Sequence, residues 1–135
     1  MLKLASTHLE GLTQGRYTRV ETDLDEKDLP YFLVRETGAS AAKTVHDLSD
    51  GTRDQLQLAL VLGSLEHRFA AGAEPMPLVL DDVLVHFDDR RSMAALEVLA
   101  KFAHTGQVLL FTHHEKIRDL ALSLGSDHGV AVCEI

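Results

Sequence analysis

Apolar positions along the chain change their period several times, and each change marks an element. Leu2, Ala5, Leu9 and Leu12 recur at i, i+3, i+7 and i+10, which predicts an amphipathic helix at the start. The same spacing fits a coiled-coil seam, and two turns do not separate the two. After Thr13, Gln14 and Gly15 the period drops to two. Residues 16–24 and 30–36 read as strands flanking a charged turn at 25–28, a hairpin or small meander. Residues 37–47 are small and polar and read as a loop. The stretch that follows predicts a long helix, with Leu56, Ala59, Leu60 and Gly63 on one face and Leu58, Leu62, Leu65 and Phe69 on another. Thr52 and Gln55 have capping-box spacing, so the helix is expected to start near Thr52, with residues 48–51 as a loop before it.

Pro75 and Pro77 end that helix, and residues 78–82, Leu-Val-Leu-Asp-Asp, read as a buried strand of the parallel kind. A second helix over 90–106 repeats Met93, Leu96, Ala100 and Ala103 and closes at Gly106. Residues 107–112 give another buried strand. Thr112 and Glu115 are spaced to cap a third helix carrying Ile117, Leu120, Ala121 and Leu124, and residues 129–135 read as a last strand. This β-α-β-α-β order predicts an α/β fold: a mostly parallel sheet with right-handed crossovers and flanking helices, preceded by the hairpin and the short leading helix.

The 135 residues suit one domain, and 45% hydrophobic with only 5% aromatic residues implies an aliphatic core. A net charge of −8 excludes a chain that grips nucleic acid through its own surface, because phosphate contacts need clustered Lys and Arg. The single Cys133, the lack of a signal-peptide pattern at the start and the lack of any apolar run near ~20 residues set the expectation of a cytoplasmic protein with no membrane segment.

In parallel sheets, ligands bind beyond the carboxyl ends of the strands. Asp81, Asp82, Thr112, His113 and His114 all fall there. Successive strand residues point to opposite faces, so Asp81 and Asp82 can divide two tasks, one toward a metal and one toward a water molecule. Mg²⁺ takes oxygen ligands and keeps several waters, so one carboxylate plus phosphate oxygens suffices. The purely structural alternatives are pairing with Arg90 or Arg91, and helix capping by Asp88 or Asp89. A different chemistry is also open: a metal-dependent hydrolase or nuclease using Asp81, Asp82, His86, Asp88 and His113 around Mn²⁺, Zn²⁺ or Fe²⁺.

The order Leu-Ser-Asp-Gly-Thr (48–52), Leu-Val-Leu-Asp-Asp-Val-Leu-Val-His-Phe-Asp-Asp (78–89) and Val-Leu-Leu-Phe-Thr-His-His (108–114) resembles the C-terminal lobe of ABC-type ATPase heads of the SMC, RecN and YhaN-like family. Gly-Leu-Thr-Gln-Gly-Arg-Tyr (11–17) is similar to an opening found in YhaN-like proteins. The likeness spans residues 5–124. It implies that Leu48, Ser49, Asp50, Gly51 and Thr52 form the signature loop, with Ser49 and Gly51 contacting the γ-phosphate of ATP held by a second head. A loop before a helix N-terminus is a ready anion site, which agrees. The likeness further implies that Asp81 is the Walker B residue holding Mg²⁺, that Asp82 polarises the attacking water, that Asp88 lies in the D-loop and crosses to the partner head, and that His113, or His114 after a one-residue shift, senses the γ-phosphate.

Asp82 stands where most of the family has glutamate, one methylene longer. None of the nine glycines precedes a lysine, so the phosphate-cradling Walker A loop is absent, as is the Q-loop region that follows it. The resemblance therefore implies one half of a composite head, with residues 1–14 the end of a returning coiled-coil arm and 15–135 the lobe. ATP and Mg²⁺ would be used only in the completed head. Its implied partners are an N-terminal Walker A lobe and a second head, with DNA reached indirectly through the parent protein in repair or chromosome maintenance. A non-catalytic dimerisation module is the remaining alternative.

Overall fold

The computed structural model describes residues 1–135 and divides them into two compact units, residues 1–71 and 72–135. The architecture is α/β, with an antiparallel sheet in the first unit and a parallel strand pair in the second.

The first unit begins with helix α1 (Leu2–Leu12), whose predicted apolar stripe is realised: Ala5, Leu9 and Leu12 are fully buried. Strands β1 (Tyr17–Leu24) and β2 (Pro30–Glu36) pair antiparallel with Val20 opposite Val34, both buried. Their turn is built by Asp25, whose Oδ1 accepts from the backbone N–H groups of Lys27 and Leu29. The stretch expected to be all loop also contributes a two-residue strand β3 (Lys43–Thr44) beside β2 and a 3-10 turn (Val45–Asp47), closed by a reciprocal box between Thr44 and Asp47.

Helix α2 (Asp50–Ala70) packs on α1. Gly63 makes this possible, because a Cβ there would lie 2.5 Å from the backbone nitrogen of Ala5. Gln55, buried in α2, donates from Nε2 to the carbonyl of Leu12 at 2.6 Å, satisfying an acceptor at the end of α1 that no helical N–H reaches. Ser6 does the equivalent for β1: its Oγ accepts from the Val20 N–H at 2.9 Å and donates to Leu2 O at 2.8 Å.

The start of α2 differs from expectation. Ser49, not Thr52, is the N-cap, in extended backbone, with its Oγ accepting from Thr52 N–H at 3.4 Å and lying 2.9 Å from Thr52 Oγ1. Thr52 is therefore already the third helical residue, and Gln55 is committed to α1 rather than to a capping box. Serine in an extended conformation three residues before an amide is the better cap, and it extends the helix backward through Asp50 and Gly51.

The second unit holds β4 (Leu78–Asp81), α3 (Asp89–Phe102), β5 (Val108–Phe111), α4 (Glu115–Leu124) and a 3-10 turn (Ser126–His128). β4 and β5 are parallel, in register Leu78–Val108 through Asp81–Phe111. α3 buries Ala94, Ala95, Leu96, Val98, Leu99 and Phe102, and α4 buries Ile117. The sheet's other face is bare: Val79 is 58% exposed, its register partner Leu109 38% and Phe111 46%. The last strand expected at 129–135 does not form, and the parallel sheet stops at two strands. Gly125 and Gly129, both at positive φ, redirect the chain after α4. Alternating apolar residues alone do not supply a pairing partner.

Candidate functional site

Asp81 is the last residue of β4, on the same face as Val79 and opposite Phe111, so its carboxylate stands on the bare side of the sheet. It is exposed and makes no side-chain hydrogen bond or ion pair. Asp82 behaves differently. Its N–H still donates to Phe111 O at 2.9 Å, but its φ of 51° takes the chain out of strand geometry into the left-handed region, which aspartate tolerates better than most residues. The two acids are thus separated by this turn rather than by simple strand alternation.

The turn brings Asp82 to the end of β5. Thr112 Oγ1 donates to Asp82 Oδ1 at 3.0 Å and accepts from the backbone N–H of His114 at 3.2 Å. His113 Nδ1 lies 2.6 Å from Asp82 Oδ2, and His114 Nε2 lies 3.9 Å from Asp82 Oδ1. The two imidazoles sit with centroids 4.1 Å apart. Thr112 was expected to cap α4 with Glu115. Instead His114 is the N-cap, with no side-chain cap hydrogen bond, and the threonine hydroxyl bridges the ends of the two strands. A carboxylate one residue beyond the neighbouring strand outcompetes the helix for it. Sequence reading missed this role of Thr112, and the only signal for it was a hydroxyl directly before a histidine at a strand end.

Asp88 caps α3, accepting at Oδ1 from Arg91 N–H at 2.8 Å, with Arg91 Nε 3.8 Å from Oδ2. Asp89 pairs with Lys116. Of the donors considered for a metal-dependent hydrolase, the structure gathers Asp82 and His113, and adds His114 to them. His86 and Asp88 are not among the group.

In the first unit, Leu48 is buried and anchors the 48–52 segment, while Ser49 and Asp50 remain exposed at the N-terminus of α2. Asp50 forms an ion pair with Arg53, one turn into the helix. Gly51 and Thr52 are buried in the first turn.

By its sequence relatives and its fold, the chain belongs to the SMC-like ATPase heads, as a C-terminal lobe. It is 32% identical to the uncharacterized protein YhaN of Bacillus subtilis (strain 168) over 120 residues, covering 88% of this chain and 12% of that protein. It is 29% identical to the DNA double-strand break repair Rad50 ATPase of Methanocaldococcus jannaschii over 104 residues, 71% of this chain and 10% of that protein. A solved SMC ATPase structure, from work on ATP-driven dimerization and DNA-stimulated activation of SMC ATPases, shares the fold with a TM-score of 0.65 at 13% identity, over 88% of this chain and 73% of that one. No protein-family model matches the chain. The chain thus spans about an eighth or less of the curated relatives it matches. No helix is long and apolar enough to cross a membrane.

Proposed function

We propose that this lobe supplies the water-handling and metal-holding half of a composite ATP site, completed by an N-terminal lobe that brings the phosphate-cradling loop. The carrying observation is the pairing, at the end of β4, of one free carboxylate, Asp81, with one tethered carboxylate, Asp82, which Thr112 and His113 hold from the end of the parallel strand β5. An exposed carboxylate with no protein partner suits Mg²⁺, a hard cation that takes oxygen ligands and keeps most of its water, and Asp81 is the residue that would hold it. When bound, the ion would neutralise developing charge on the phosphate oxygens.

Asp82 and His113 act as a pair in this reading. Thr112 and His113 fix the Asp82 carboxylate, and the carboxylate in turn fixes the His113 ring through Nδ1, leaving Nε2 for the γ-phosphate or the attacking water. Of the two adjacent histidines, His113 is the better candidate for the phosphate sensor, because its ring is exposed and already oriented, while His114 Nε2 is shielded from solvent. Ser49 and Gly51, flanked by Leu48, Asp50 and Thr52, would meet the nucleotide of a second head, where the α2 N-terminus favours an anion. Asp88 would contribute near that interface while capping α3. ATP would draw heads together and hydrolysis release them, in a cytoplasmic protein acting on DNA repair or chromosome maintenance. The leading helix would be the end of a coiled-coil arm. The DNA-repair and SMC relatives, and the ATP-driven dimerization of the solved neighbour, support this reading.

The test is ATP turnover by this chain mixed with the N-terminal lobe of its parent protein. Activity is expected only in the mixture, and Asp82→Asn is expected to lower it by at least about a hundredfold, the typical contribution of a positioned proton-transfer group. Turnover by the variant equal to the unmodified chain would remove Asp82 from the chemistry.

A further inference from the structure

We propose that Asp82, His113 and His114 form a binding site for a borderline transition-metal dication, Zn²⁺ being the best match, distinct in residues and chemistry from the Mg²⁺ position at Asp81. One carboxylate oxygen and two imidazole nitrogens lie within 4.8 Å of one another. Around a tetrahedral zinc with ligands at ~2.0–2.2 Å, neighbouring donors stand about 3.3 Å apart. Side-chain movements on the order of an ångström close the set, with no change of backbone.

The three donors are unequally prepared. His114 Nε2 is excluded from solvent and has no hydrogen-bond partner, 3.9 Å from Asp82 Oδ1. An imidazole nitrogen left without water or partner is unfavourable, and a metal ion removes that deficit. His113 is already against the same carboxylate and its side chain is 76% exposed, so it can exchange its hydrogen bond for a metal bond at little cost in packing. Thr112 Oγ1 holds the carboxylate from outside, the position that outer hydrogen bonds occupy in metal centres. Two imidazoles and one carboxylate suit Zn²⁺, Co²⁺ or Fe²⁺ and not Mg²⁺, and leave coordination positions for water. Where the reading of Asp82 and His113 given above holds, the occupied site withdraws both from ATP hydrolysis, so zinc acts as an inhibitor.

The test is calorimetric titration of ZnCl₂ into the 135-residue chain stripped with chelator. One equivalent is expected to bind, in a large excess of Mg²⁺ as well as without it. Asp82→Asn and His114→Ala are each expected to weaken binding by at least about tenfold. Asparagine is at home in the left-handed backbone of residue 82, so Asp82→Asn stays informative if His114→Ala fails to fold. Cys133→Ser and His104→Ala should leave the affinity unchanged. Absence of a one-to-one event, affinity surviving both ligand substitutions, or affinity lost in Cys133→Ser would overturn the site. ATP turnover in the completed head with and without zinc is a separate readout: a head inactive in both conditions counts against the composite ATP site, while calorimetry alone decides whether the metal binds.

Discussion

The two units differ in how completely they satisfy themselves. In residues 1–71, α1 is covered by α2 and β1 to the point that Ala5, Leu9 and Leu12 have no exposed surface, and the buried Gln55 meets the Leu12 carbonyl. In residues 72–135, a two-stranded parallel sheet leaves Val79, Leu109 and Phe111 open to solvent, and the residues with chemical potential crowd its carboxyl end. Isolated two-stranded pairings are marginal in water, and parallel sheets are usually covered on both faces. One unit is thus built for rigidity, and the other keeps a face and a site unfinished.

The largest expected effect tests the closed unit. Leu9→Ala removes a fully buried side chain and is expected to lower stability by about 3 kcal/mol, read as a shifted urea midpoint. A loss below about 1 kcal/mol would show that α1 is not held as tightly as its burial indicates. A comparable truncation on the open face, Val79→Ala, should change stability by less than about 0.5 kcal/mol. A cost similar to that of Leu9→Ala would mean the face is covered in solution, and the contrast would fall.

The smallest effect concerns charge at the edge of the closed unit. Hydrogen bonds from Lys43 first, and then Arg16, hold the Glu36 carboxyl below the usual carboxylate range. A depressed folded-state value means its contribution is present above the ordinary glutamate value of about 4.3 and is lost as pH falls through the lower folded one. Glu36→Gln should therefore lower stability slightly at neutral pH, by little because the group is solvated, and the curves of the two proteins should converge as pH falls below about 4.3, which flattens the acid limb of the variant. An acid limb identical in the two proteins would assign the acid response elsewhere, with Asp47, held down by Thr44, the next group to substitute.

Much of the architecture was legible in the sequence because it follows from periodicity. The stripe of Leu2, Ala5, Leu9 and Leu12 and the alternation in 16–24 and 30–36 each became the expected element, while the short apolar runs at 78–82 and 107–112 became strands but not the buried ones expected, because one face of their sheet has no layer over it. What failed were features set by a partner the local pattern does not contain. The pair Thr52 and Gln55 looked like a capping box, but Gln55 belonged to a carbonyl 43 positions away. Thr112 looked like a cap and served Asp82, 30 positions away. Residues 129–135 had the composition of a strand and no neighbour to pair with. In the candidate site, the acids and histidines were found from motif order. Their hydrogen-bonded grouping depended on the positive φ of Asp82, which composition does not announce.

The uncovered strip of Val79, Leu109 and Phe111 also governs how the isolated chain handles at the bench. Two adjoining strands with free edges and greasy side chains invite copies to stick together as concentration rises, despite the strong negative charge that keeps them apart when dilute. Light scattering should therefore climb with added salt, which screens that repulsion.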